Sequence, residues 1–101
     1  MTKIRHTGIV TNNLKKSLWF WKKQLNFKVI KSELESGNTL DSVLGYKNVL
    51  VNTLKLSDKN GNLIELLYFK NSPKNKKNEI KPYTVGLTHV SLTVKNINKI
   101  Y

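Results

Sequence analysis

The stretch IRHTGIVTNNLKKSLW near the start of the chain returns, altered, as GLTHVSLTVKNINKIY at its end. With His89 set over His6, Leu92 falls on Ile9, Val94 on Thr11, Asn96 on Asn13, Ile97 on Leu14 and Lys99 on Lys16. Each copy reads as a strand followed by an Asn-capped helix onset. A chain that opens the same unit twice must complete that unit between the two openings. One full unit is therefore expected over residues 1–72, a Lys/Asn/Pro-rich linker over 73–84, and the start of a second unit over 85–101, beginning with a strand at 85–94.

The elements of the full unit follow from local pattern. KIRHTGIVT is rich in β-branched residues and reads as a strand over 3–11. Asn12 and Asn13 then offer an N-cap, and the period changes: Leu14, Leu18, Trp21 and Leu25 form the core stripe of one amphipathic helix, with Lys15, Lys16, Lys22 and Lys23 mostly on its wet side. Asn26 ends the helix and FKVIKSELE follows as a strand. TLDSVLGY is a short helix closed by Gly45, and NVLVNTLKLS is a strand whose alternation is imperfect. DKNGN marks a hairpin, because Asn-Gly supplies the positive φ angles of a tight turn. The return strand NLIELLYFK puts Ile64, Leu66 and Tyr68 on one face and Leu63, Glu65, Leu67 and Phe69 on the other. The order β-α-β-(short α)-β-β predicts an α+β fold.

Composition closes off several functions. The 101 residues contain no cysteine, which excludes disulfides, thiolate metal sites and a thiol nucleophile, so any metal must sit on His and carboxylate. No apolar run approaches the roughly 20 residues that cross a bilayer, and the N-terminus lacks the apolar core of a signal peptide. A cytoplasmic, non-membrane protein is expected. The net charge of +12 comes from 18 basic residues of which only Arg5 is arginine. Lysines spread along the chain lack the planar, bidentate fork that reads bases and phosphates, so nucleic acid is not the expected partner. A positive field does concentrate small anions, which makes an anionic small-molecule substrate the better match.

Three residues sit oddly. His6 and His89 hold the same place in the two copies, on otherwise apolar strands, and Glu65 interrupts IELLYF, where burying a lone carboxylate is costly. A strand histidine is more often a core or edge residue than a ligand, and a hairpin glutamate is usually wet. Together, however, two imidazoles and one carboxylate make the donor set that holds Zn, Ni, Mn or Fe with positions left open. Parity agrees. His6 shares a face with Gly8 and His89 with Ser91, small neighbours that leave room there, while Thr7, Ile9, Val90, Leu92 and Val94 suit packing under a helix. Trp21 reads as core and Arg5 as a surface charge.

RHTGIVTNNLKKSLWFWKKQLNFKVI, GNLIELLYF and GLTHVSLTV together resemble the vicinal oxygen chelate superfamily, which includes glyoxalase I, extradiol dioxygenases and the bleomycin resistance proteins. The resemblance implies paired βαβββ modules forming a curled sheet around a divalent metal. It implies that His6, Glu65 and His89 are metal ligands, and that a fourth ligand late in module two, a glutamate that can share in proton transfer, has no counterpart in this sequence; Glu65, detaching from the metal, is then the expected base. The implied function is a metal-dependent glyoxalase-like lyase or isomerase acting on a small substrate with vicinal oxygens. The alternatives are an Fe(II) extradiol-type dioxygenase, a small-molecule binder without turnover, or an inactive truncated form. A lone module leaves a sheet edge open, so a homodimer is expected.

Overall fold

In the computed structural model the described residues are 2–71, 81, 83, 85, 86 and 90–100. Four strands form one mixed sheet in the order β1-β4-β3-β2, with β1 at Thr7–Val10, β2 at Lys28–Glu35, β3 at Val51–Ser57 and β4 at Leu63–Phe69. The chain crosses from β1 to the far edge of the sheet, then returns through two antiparallel pairings until β4 lies parallel to β1. This is the expected α+β arrangement.

The first helix begins where the sequence places it. Asn13 caps α1 (Leu14–Leu18), its side chain accepting from the Lys16 N–H at 3.0 Å, and Thr11 and Ser17 hydroxyls meet at 2.7 Å. The single regular helix expected through Leu25 does not form. From Trp19 to Gln24 the chain is π-helical, and it closes with the Leu25 N–H on the Phe20 carbonyl at 3.2 Å. The wider turn takes one more residue per hydrogen bond, and this brings both Phe20 and Leu25 against the core. Trp21, 7% exposed, stands edge-on to Phe20 at 5.5 Å and to Phe27 at 5.1 Å between ring centroids. Asn26, at φ 59°, then turns the chain out of the helix.

That helix covers the sheet face formed by Leu54, Leu56, Ile64 and Leu66, with Ile9 packed at its margin. The faces of β4 are as the alternation predicts. The irregular alternation of β3 has a simple cause: Val51 and Thr53 are buried on the opposite face as well, because β3 is an inner strand. The short helix α2 (Asn38–Leu44) ends on Gly45 at φ 82°, where a Cβ would be strained. The Asp41 carboxylate accepts from the Asn48 and Val49 N–H groups, both at 2.9 Å, and so fixes the entry into β3. In the β3–β4 hairpin the Asp58 carboxylate accepts from the Asn60 and Asn62 N–H groups and the Asn62 amide, while Gly61 adopts φ 83°.

The C-terminal segment differs in part. Within the strand expected over 85–94, residues 85, 86 and 90–94 lie outside the sheet, and 87–89 fall outside the described residues. In the first unit the matching strand is held by β4, and among the described residues no strand pairs with 85, 86 or 90–94. The repeat is nevertheless visible in the next element. A helical turn, α3 (Ile97–Ile100), starts directly after Asn96, whose side chain accepts from the Asn98 N–H at 3.1 Å. Asn13 does the same service before Leu14. Most of the expected linker, 73–84, lies outside the described residues.

Candidate functional site

The sheet face turned away from the helix carries the candidate residues. Register places Lys31, Lys55, Glu65 and Gly8 in one row across the four strands, and Glu33, Thr53 and Leu67 in the next. His6 directly precedes β1, two residues before Gly8, so its side chain reaches the same face. Its Nε2 stands 3.8 Å from Glu65 Oε1, with side chains 29% and 17% exposed. The sequence pointed to both residues, and the fold brings them together. His89 lies outside the described residues.

The gap between His6 and Glu65 is too long for a hydrogen bond. Two ligands of one ion, each about 2.0–2.2 Å from it, stand only a few tenths of an ångström closer than this. The other imidazole nitrogen, Nδ1, is buried without a hydrogen-bond partner among the described residues. A buried polar nitrogen with nothing to bond is costly and unusual. The separation alone fits a divalent ion held between Nε2 and Oε1; the orphaned Nδ1 is the other ring nitrogen and would need its own partner, as metal-ligating histidines usually have. Among the described residues no group of three His, Cys, Asp or Glu stands close enough to hold a metal.

Sequence reasoning missed the neighbours that only register reveals. Lys55 lies opposite Glu65, and Lys31 beyond it pairs with Glu33 at 2.9 Å. The hydrogen bond from Lys31, then its charge, lowers the Glu33 pKa. Glu35 is pushed up, first by burial, then by its hydrogen bond to Glu33 and by the like charges of Glu33 and Glu65. At the far end of this face the Tyr46 ring tilts against Phe69, with its hydroxyl buried and unpartnered among the described residues. Four residues of extended strand, about 13 Å, separate Phe69 from Glu65. That stretch of sheet face, called the trough below, has the length of a small molecule.

The comparisons with known proteins bear on this arrangement directly. Residues 3–101 match the family model of the Glyoxalase/Bleomycin resistance protein/Dioxygenase superfamily. The chain belongs to this superfamily. Among solved structures, a glyoxalase family protein from Bacillus cereus is similar with a TM-score of 0.79 and 20% sequence identity, over 99% of this chain and 68% of that one. At that identity the likeness speaks for the glyoxalase-family fold. No curated protein sequence matches the chain. Among the described residues no helix is long and apolar enough to cross a membrane.

Proposed function

We propose that this glyoxalase-superfamily chain contributes His6 and Glu65 to a divalent-metal site, and that the assembled site acts as a lyase or isomerase on a small substrate with neighbouring oxygens. The observation that carries the reading is the His6–Glu65 pair, 3.8 Å apart on one sheet face. His89 is the third donor by its place in the sequence repeat, and further donors come from a second copy of the chain.

When bound, the metal supplies Lewis acidity toward substrate oxygens. The residues of the chain supply the rest. Glu65 is partly withdrawn from water yet reachable from the trough, which suits a carboxylate that takes a proton from carbon beside a carbonyl. Lys55, opposite it in the ladder, places positive charge where an oxyanion would form. Leu67 and Phe69 share this face with Glu65 and give a bound substrate apolar surface to rest on.

Titration of the purified protein with Zn, Ni and Mn, followed calorimetrically, tests the metal reading without reference to turnover. Stoichiometric binding is expected in the wild type, with loss in His6→Ala and Glu65→Gln and weakening in His89→Ala. Binding that survives both of the first two substitutions sinks the proposal. The two-donor count among the described residues favours one second reading, a small-molecule binder that uses the same trough without metal. That reading predicts no stoichiometric metal uptake at all.

A further inference from the structure

A second cleft lies beside the trough. It runs between the approach to β1, the end of the π-helical segment, the β3–β4 hairpin and the segment 90–99, encloses about 1150 Å³, and has His6 in its wall. That volume is at the upper end of small-molecule sites. Its lining includes Arg5, Lys23, Lys59, Lys95 and Lys99 against one carboxylate, Asp58. The carboxylate is already committed to three donors of its own hairpin. Among the described residues none of the five cations makes an ion pair, whereas Lys31 on the trough face pairs with Glu33. Lys23 has a local reason for its place, since a cation suits the last turn of a helix. Lys99 has the same reason in the last turn of α3, and the other three have none. They come from three separate stretches of chain and converge on one cavity, where like charges repel unless an anion joins them.

We propose that this cleft binds the multiply charged anionic handle, phosphate-bearing in the first instance, of a small-molecule ligand. The occupant is small rather than a nucleic acid, because the cations, all exposed, line one half-open cleft with a single arginine rather than an extended basic surface. His6 belongs to both the cleft wall and the pair with Glu65, so a ligand anchored by its charged end here presents its other end to the trough. Only this orientation rests on the functional reading given above; anion binding in the cleft stands without it.

Calorimetric titration of metal-free full-length protein with inorganic pyrophosphate, and in parallel with citrate, tests the site and separates phosphate from carboxylate preference. One-to-one binding is expected, tighter for pyrophosphate. The variants Arg5→Ala/Lys59→Ala and Lys95→Ala/Lys99→Ala should each weaken it by about tenfold or more, the scale of a lost charge-assisted contact. Lys15→Ala/Lys16→Ala, on the outer face of α1, should leave it unchanged. Equal weakening by that control would assign the effect to the diffuse field of the chain and overturn the proposal, as would absence of pyrophosphate binding, or displacement of pyrophosphate by a single-stranded oligonucleotide with a steep salt dependence. Preference for citrate would overturn the phosphate assignment. The cleft variants keep metal binding and Glu65→Gln, outside the cleft lining, keeps pyrophosphate binding, so failure of either reading is seen separately.

Discussion

Glu35 and Glu65 share one sheet face, and the consequence for Glu35 is thermodynamic. Burial, the hydrogen bond to Glu33 and two like charges all favour its protonated form, so its folded pKa lies above the unfolded one. A group shifted in that direction adds stability below its unfolded pKa and loses it as pH rises through the folded value. Glu33 and Asp58 are shifted the other way, and what they add is present above their unfolded pKa and lost as pH falls. Glu35→Gln keeps a neutral partner for Glu33 and removes the ionisation. It should therefore be more stable than wild type at pH 7, by at most about 1 kcal/mol as for other partly exposed charges, with the difference vanishing near pH 3. Urea midpoints at the two pH values measure this, and an advantage that grows toward acid contradicts it. Glu35, Lys55 and Tyr46 could not be placed on the candidate face from the sequence, because their position there depends on register with strands far away in the chain. His6 and Glu65 were legible, since each is a titratable residue in an apolar strand context and so carries its anomaly locally.

The same contrast between local and distant causes decides which elements were foreseen. The Asn13 cap, the Gly45 stop and the Asp58–Asn62 hairpin depend on a few adjacent residues, and all three form where the pattern puts them. The π-helical stretch was not legible. The stripe Leu14, Leu18, Trp21, Leu25 satisfies a regular helix, and only the packing of Phe20 and Leu25 together against the sheet calls for the wider turn. The strand expected at 85–94 failed in the described positions for a related reason: a strand is defined by its partner, and propensity supplies none. A prediction belongs to the aromatic run itself. Trp19 and Trp21 are two residues apart, yet Trp19 is 53% exposed and Trp21 fills the core. Trp21→Ala should cost about 3–5 kcal/mol, as for other buried aromatics, and Trp19→Ala under about 1 kcal/mol. Chemical denaturation of the two variants distinguishes them, and equal losses would place the wrong ring inside.

For the molecule as a whole, the two edges of the sheet are unequal. The edge strand β2 carries Lys28, Lys31, Glu33 and Glu35, charges of the kind that discourage pairing with another chain. The other edge, β1, reads TGIV, carries no charge, leaves Val10 68% exposed and lies beside the His6–Glu65 pair. Pairing of two copies along β1 would bury apolar surface and bring two such pairs close together, providing four donors where one chain's described residues provide two. Dimerisation and metal affinity should then be linked, since a ligand that binds only the assembled form stabilises it by mass action. Light scattering at micromolar concentration should give twice the 11.7 kDa chain mass, more completely with Zn than without. Val10→Lys, which puts a charge on the open edge, should lower both the mass and the zinc affinity. A wild-type monomer that binds zinc stoichiometrically through its own His89, shown by loss of binding in His89→Ala at unchanged mass, would place the whole donor set in one chain and end the case for the dimer.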